Sequence, residues 1–340
     1  MSLPPPELAD WPEDLDPALE RPFEALRFAS TRPGPRIIMT AAVHGNETCG
    51  SFALAGLARE FESGQRRLLK GALTRVPVAN PKAWRLRRRH GDRNLNRRLM
   101  PKTAPQQYED HVANGLCPLL AEHEGLLDLH SFQSGDRPFA LFGPANNRGD
   151  LEPFDRAQTE EALALRLGCD RFVFGWLDTY ARGMARRADQ LRAGLFGGLA
   201  VDVDSRYGIG TTEYMRSQGG WAITLECGQH EDPTARAVAY TAVINTLAHL
   251  GMIGEPDPAP VRDFEVMGLY EVFDRLHVDD RFERAWKSFD PVTRGAPIGV
   301  RADGTPVLAP DDGLIIFPNV KSQAGQEWFY LARRGGRLGR

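Results

Sequence analysis

The stretch Ile37-Ile-Met-Thr-Ala-Ala-Val-His44-Gly-Asn-Glu47 decides how this chain is read. Arg36 to Val43 is an apolar run of the kind that forms a buried strand. Asn46 to Phe61 then reads as a helix, with Leu54, Leu57 and Phe61 on one face. His44 and Glu47 therefore sit where a strand ends and a helix begins. In an open α/β sheet, ligands bind beyond the carboxyl ends of the strands. An imidazole nitrogen and a carboxylate oxygen are ordinary metal ligands, and on a glycine-containing turn both can face one ion. Alone, a His-x-x-Glu reads more readily as a capped turn with a hydrogen-bonded histidine, so its meaning depends on partners elsewhere.

Outward from this stretch, strands and helices alternate. Strands are expected at 72–79, 125–130, 138–143, 171–175 and 221–226, and helices at 106–123, 159–168 and 234–250. Pro77 suits an edge or a strand end, and Asn80-Pro81 breaks the pattern. The segment 184–208 matches neither period. The proline-rich run from Gly254 to Pro260 is a linker. Beyond it, short strand-like runs at 266–273, 297–300, 306–309, 313–317 and 328–331 lie between Gly, Pro and Asp turns. The expected architecture is α/β: a mixed, mostly parallel sheet with helices on both faces, plus a small C-terminal all-β domain. The expected division is a leader with one edge strand over 1–35, an α/β domain over 36–254 and a β domain over 261–340.

Bulk properties exclude several classes. A chain of 340 residues with 42% hydrophobic and 26% charged residues is an ordinary globular composition. The net charge of −3 gives no overall attraction to nucleic acid or membrane. Cys49, Cys117, Cys169 and Cys227 form no Cys-x-x-Cys pair, which fits a reduced, cytoplasmic chain. The first 20 residues are acidic and proline-rich, unlike a signal peptide. The segment 237–254 lacks Asp, Glu, Lys and Arg, but Thr241, Asn245, Thr246 and His249 suit a helix packed on the sheet better than a membrane span.

Four of the expected strands end in chemically capable side chains: His44 with Glu47, then Asn80, His130 and Glu226. His44, Glu47 and His130 make a His2Glu set, and three protein ligands with one open position is the catalytic form of a zinc site. Glu226 suits a general base for a metal-activated water. The basic segment 84–98 carries seven arginines, with Trp84 as its one aromatic, which is thin for nucleic-acid stacking. Within it Arg97 could clamp a substrate carboxylate, and Arg89 could stabilise an oxyanion.

In this order, His44-Gly-Asn-Glu47, Asn94-Leu-Asn96-Arg97, Asp128-Leu-His130-Ser131 and Thr224-Leu-Glu226 resemble the succinylglutamate desuccinylase/aspartoacylase family. That family comprises zinc-dependent amide hydrolases related to the zinc carboxypeptidases. The resemblance implies a zinc carboxypeptidase-like fold and one Zn2+ per chain held by His44, Glu47 and His130. It implies Glu226 as general base and later acid, and Arg89 facing the scissile carbonyl. Asn96 and Arg97 would hold the amino-acid carboxylate. Arg216, ten residues before Glu226, would read a second one. One position departs from the family pattern: Asn94 stands where an aspartate usually accepts a hydrogen bond from a ligating histidine.

The expected function is cleavage of the amide bond of a small anionic N-acyl amino acid, N-succinyl or N-acetyl and dicarboxylate, by a cytoplasmic enzyme. No nucleic-acid or membrane partner is expected, and a homo-oligomer is left open. The alternatives are a zinc carboxypeptidase acting on peptides and a non-catalytic binder of an anionic ligand. His90, His111, His123, His230, His249 and His277 are expected to be structural or exposed.

Overall fold

The computed structural model describes residues 23–135 and 137–338, so most of the expected leader lies outside the described residues. Up to residue 141 the elements are β1 (Leu26–Ala29), β2 (Arg36–Ala41), α1 (Cys49–Glu62), β3 (Ala72–Val76), α2 (Pro81–Arg85), α3 (Tyr108–Ala121), β4 (Gly125–Phe132) and β5 (Phe139–Leu141). Then come α4 (Ala157–Ala164), β6 (Arg171–Phe174), α5 (Trp176–Arg192), α6 (Thr211–Ser217), β7 (Trp221–Gln229) and α7 (Ala235–His249). Seven strands follow: β8 (Glu265–Asp274), β9 (Arg281–Phe282), β10 (Pro291–Val292), β11 (Pro297–Val300), β12 (Pro306–Leu308), β13 (Gly313–Ile316) and β14 (Glu327–Arg334). The chain divides into two compact units.

The first unit holds the residues up to Ser131, 137–172 and 209–264. Its strands run in the order β1-β3-β2-β4-β7-β5. The sheet is mixed: β2 is parallel to β3 and β4, whereas β1 pairs antiparallel with β3 and β5 with β7. Alternation along β2 and β4 sends neighbouring side chains to opposite faces. Gly50 of α1 lies against Ala41 and Leu129 on one face, where α1 also packs on α7. Ile38 and Leu126 face the other way, into a cluster with Val112, Leu116 and Leu120 of α3, Met215 of α6 and Ala222 of β7. Each such fully buried leucine contributes about 1.5–3 kcal/mol relative to an exposed one. The charge-free run ending at Gly254 is α7 and the turn after it, and no helix among the described residues is long and apolar enough to cross a membrane. Pro77 falls just past the end of β3, as its missing N–H requires.

The second unit holds 132–136, 173–208 and 265–340. Its strands form an antiparallel array, β8-β14-β13-β10, and a three-stranded sheet, β12-β11-β9. Every element assigned beyond residue 261 is a strand, and the unit to which these strands belong also contains the 17-residue helix α5, which lies before the expected domain. The helix turns Leu177, Tyr180, Met184 and Arg187 inward and packs on β8. Arg187 is buried because its guanidinium forks onto Asp274, with Nε and Nη2 at 2.8 and 2.6 Å from the carboxylate.

Candidate metal and active site

The end of β2 is strained and tightly seated. Ala42 adopts φ 46, a left-handed conformation that a residue with a Cβ enters only when its surroundings impose it. Its carbonyl accepts from the Asn80 amide at 3.1 Å. A Cβ on Gly45 would overlap the backbone of Ala83 and Trp84, so only glycine lets the turn lie against α2. The turn closes with the Glu47 amide donating to the His44 carbonyl at 3.0 Å. Asn80, expected among the chemically capable strand ends, is structural: its Oδ1 caps α2 at the Ala83 amide, and its Nδ2 donates to Glu109.

His44, Glu47 and His130 are all buried, and their ligand atoms lie within 4.8 Å of one another. His44 Nδ1 is 2.9 Å from Glu47 Oε1, and His130 Nδ1 is 2.8 Å from Glu47 Oε2. The outer nitrogens are both held. His44 Nε2 lies 3.1 Å from Asn94 Oδ1, and His130 Nε2 lies 2.8 Å from Asp128 Oδ2. With an oxygen acceptor at Nε2, the neutral His44 ring carries its proton there and turns its Nδ1 lone pair inward, whereas His130 Nδ1 faces Glu47 Oε2 and would give up its proton to a bound cation. His44 Nδ1 is buried without an aligned hydrogen-bond partner. Two inward imidazole nitrogens, a carboxylate and oxygen acceptors behind both rings are the donors and supports of a metal site, so these three residues could hold a metal ion.

The electrostatics follow from burial and mutual contact. Burial, with Arg89 nearby, pushes His44 down to about 3, so its imidazole is neutral at neutral pH. Burial also disfavours charge on Glu47 and His130, but their attraction overrides it. His44 and His130 hold Glu47 well below the usual carboxylate range, and Asp128 and Glu47 hold His130 well above the usual histidine range. Glu226 on β7 is buried, and its Oε2 has no partner. Burial and the charge of Glu47 push its carboxyl up to about 8, while His130 and Arg89 pull the other way. Arg89 donates from Nη1 to Glu47 Oε1 at 2.9 Å. The structure thus brings His44, Glu47, His130, Arg89 and Glu226 into one neighbourhood.

The arginine-rich segment is held from beneath by α3. The buried Glu109 carboxylate accepts from the amides of Gly91, Asp92 and Arg93 at 2.7, 3.1 and 3.1 Å. Arg93 in turn donates to Asp110 at 2.8 Å. This places Asn94, whose Oδ1 meets both His44 and the Asn96 amide. Asn96 Oδ1 accepts from the Thr211 amide at 2.9 Å, and Arg97 is buried with Nη1 on the Asn96 carbonyl at 2.8 Å. Arg87, Arg88 and Arg98 are exposed.

Arg216 is placed differently from the expectation. It is buried, with Nε on Glu160 at 2.8 Å, Nη1 on Glu152 at 2.9 Å and Glu213 at 3.3 Å, and Nη2 on the Ala222 carbonyl at 2.8 Å. These contacts make it the hub of an internal ion cluster rather than a side chain presented to the metal-ligand set. One guanidinium faces three carboxylates, and burial with Glu213 and Glu160 nearby pushes Glu152 up to about 7 despite Arg216. A raised carboxyl contributes stability that is complete below its unfolded value of 4.5 and lost as pH rises through about 7. Glu152→Gln is therefore expected to flatten the decline in melting temperature between pH 4.5 and 7. Parallel melting curves for variant and wild type would contradict this.

Several supporting residues have no role in the sequence reading. Asp128 shares a face with His130 two positions on, and also accepts from the Thr40 hydroxyl at 2.6 Å and from the Thr211 hydroxyl. The Ser131 amide donates to Glu47 Oε2 at 3.2 Å, and its hydroxyl lies 2.8 Å from His230 Nδ1. His230 is thus structural and one shell behind the ligand set. Asn94 presents a neutral acceptor to His44, whereas His130 has a charged one. Asn94→Asp is expected to tighten the binding of an added divalent metal roughly tenfold to a hundredfold, the range for such supporting partners. Chelator competition checks it, and unchanged affinity would show that the charge at residue 94 does not matter.

Fold and donor set together define an α/β protein with a buried His-Glu-His candidate metal site. Residues 33–152 match the succinylglutamate desuccinylase/aspartoacylase catalytic domain, so the chain resembles that family of hydrolases, as its motifs imply. Solved structures share the fold. Succinylglutamate desuccinylase from Vibrio cholerae superimposes with a TM-score of 0.67 at 19% identity, covering 91% of this chain and 85% of its own. The succinylglutamate desuccinylase/aspartoacylase from Rhodobacter sphaeroides gives 0.63 at 19%, covering 90% and 87%. The product-bound ectoine utilization protein EutE (DoeB) from Ruegeria pomeroyi gives 0.62 at 20%, covering 91% and 88%. No curated protein matches the sequence.

Proposed function

We propose that this protein is a zinc-dependent hydrolase that cleaves the amide bond of a small N-acyl amino acid. The observation that carries the reading is the buried trio of His44, Glu47 and His130, with the buried carboxyl of Glu226, whose Oε2 is unpartnered, within electrostatic reach of Glu47 and His130. One Zn2+ held by the trio would supply a Lewis acid and lower the pKa of a water.

The chain's own residues do the rest. Asn94 and Asp128 keep the two imidazoles aimed. Glu226 accepts the proton of the attacking water and returns it to the departing amine. A group raised to about 8 is close enough to neutral pH to do both. Arg89 faces the charge that develops on the carbonyl oxygen. Asn96 and Arg97 hold the substrate carboxylate. The four buried free cysteines support a cytoplasmic setting.

The test is amine release from N-acetyl, N-formyl and N-succinyl amino acids by Zn2+-supplemented protein. Release from none of them would sink the reading. Release of C-terminal residues from peptides instead would favour the carboxypeptidase alternative.

A further inference from the structure

The motif reading gave the substrate two carboxylates because it assigned a reader to each. The structure removes one reader. Arg216 is buried, and its guanidinium donates to Glu160, Glu152, Glu213 and the Ala222 carbonyl. Its partners are themselves structural. Glu160 also accepts from the amides of Gly143 and Ala222 at 2.6 and 2.7 Å, and Glu213 from the Gly210 amide at 2.9 Å. A Cβ on Gly143 would collide with the guanidinium, so the hub is closely packed, and each of its three nitrogens is hydrogen-bonded.

For a substrate carboxylate to reach Arg216 it would have to displace one of these glutamates. Displacing Glu160 strands two buried amides, at about 1–3 kcal/mol each. It would also bring a further negative charge into a cluster where three carboxylates already outnumber one cation.

From this we infer that the substrate of the site carries a single carboxylate, the one next to the scissile amide, and that the rest of it is uncharged or cationic. The inference rests on the proposed hydrolase reading and narrows it. N-acetyl and N-formyl derivatives of neutral or basic amino acids fit. N-succinyl compounds and N-acyl acidic amino acids do not. Arg216 belongs to the scaffold, tying α4, α6 and β7 to the segment after β5.

The deciding measurement is kcat/KM of the Zn2+-loaded wild type on N-acetyl-alanine, N-acetyl-leucine and Nα-acetyl-lysine. N-acetyl-aspartate, N-acetyl-glutamate and N-succinyl-glutamate are run beside them. The first group should exceed the second by tenfold or more. If the dicarboxylates are equal or better, the inference is overturned and the hydrolase reading stands. If no compound is cleaved, both fall. Arg216→Lys keeps a cation and gives a second readout. If the hub is scaffold, the ratio of KM values between the two groups stays at its wild-type value. A selective rise for dicarboxylates would place Arg216 on the substrate. If the variant does not fold, the wild-type comparison decides alone.

Discussion

Glu226→Gln is expected to lower kcat by about 10²–10⁴, the usual contribution of a positioned acid–base group, while leaving metal content at the wild-type level. The substitution keeps size and removes only the ability to take up and release a proton. His44, Glu47 and His130 are held by Asn94, Asp128 and one another, so their geometry is retained. The carboxyl stands near 8 because burial and Glu47 both oppose its charge. A cation held by Glu47 would offset that repulsion and lower the value, so activity should rise with pH and level off below 8. Turnover of the variant and its metal content, measured on one preparation, check this. Near-wild-type turnover would remove Glu226 from the mechanism.

The second large effect is on stability. Arg216→Met should cost about 3–5 kcal/mol, the penalty for taking one partner from a buried ion pair and leaving the other uncompensated. Here the stranded groups are the buried Glu160, with Glu152 and Glu213 beside it. Urea unfolding of variant and wild type gives the difference, and a loss below about 1 kcal/mol would mean that the cluster adjusts by taking up protons. The size of the effect separates a scaffold hub from a side chain kept for ligand contact, whose removal usually changes stability far less.

The first unit was legible because its signals are local and strong. β2, β4 and β7 are short apolar runs between polar turns, and each carries its candidate site residue within a few positions of its end. Helix α5 was not legible, and the reason is one residue. Leu177, Tyr180, Met184 and Arg187 have helical spacing, but the fourth core position is an arginine. Its burial makes sense only with Asp274, 87 positions away. The two-residue strands β9 and β10 are too short to show a period.

The site divides in the same way. His44, Glu47, His130 and Glu226 were readable as residue types able to bind metal or move protons. Glu109 was not, because its four hydrogen bonds end on Asn80 and on backbone amides, which no side-chain pattern reports. Arg216 shows the opposite case. Its spacing from Glu226 matched a substrate reader, but its surroundings include Glu152 and Glu160, which lie 64 and 56 positions away.

The grip of Glu109 on residues 91–93 has a thermodynamic consequence for ligand binding. Fixing a backbone residue costs roughly 1–2 kcal/mol in conformational entropy. In many binding loops that loss falls due when the ligand arrives and weakens the complex. Here the chain leading to Asn94, Asn96 and Arg97 is ordered by folding itself, through a carboxylate in the first turn of α3. Under the proposed reading, a small ligand with few atoms binds without having to organise this loop.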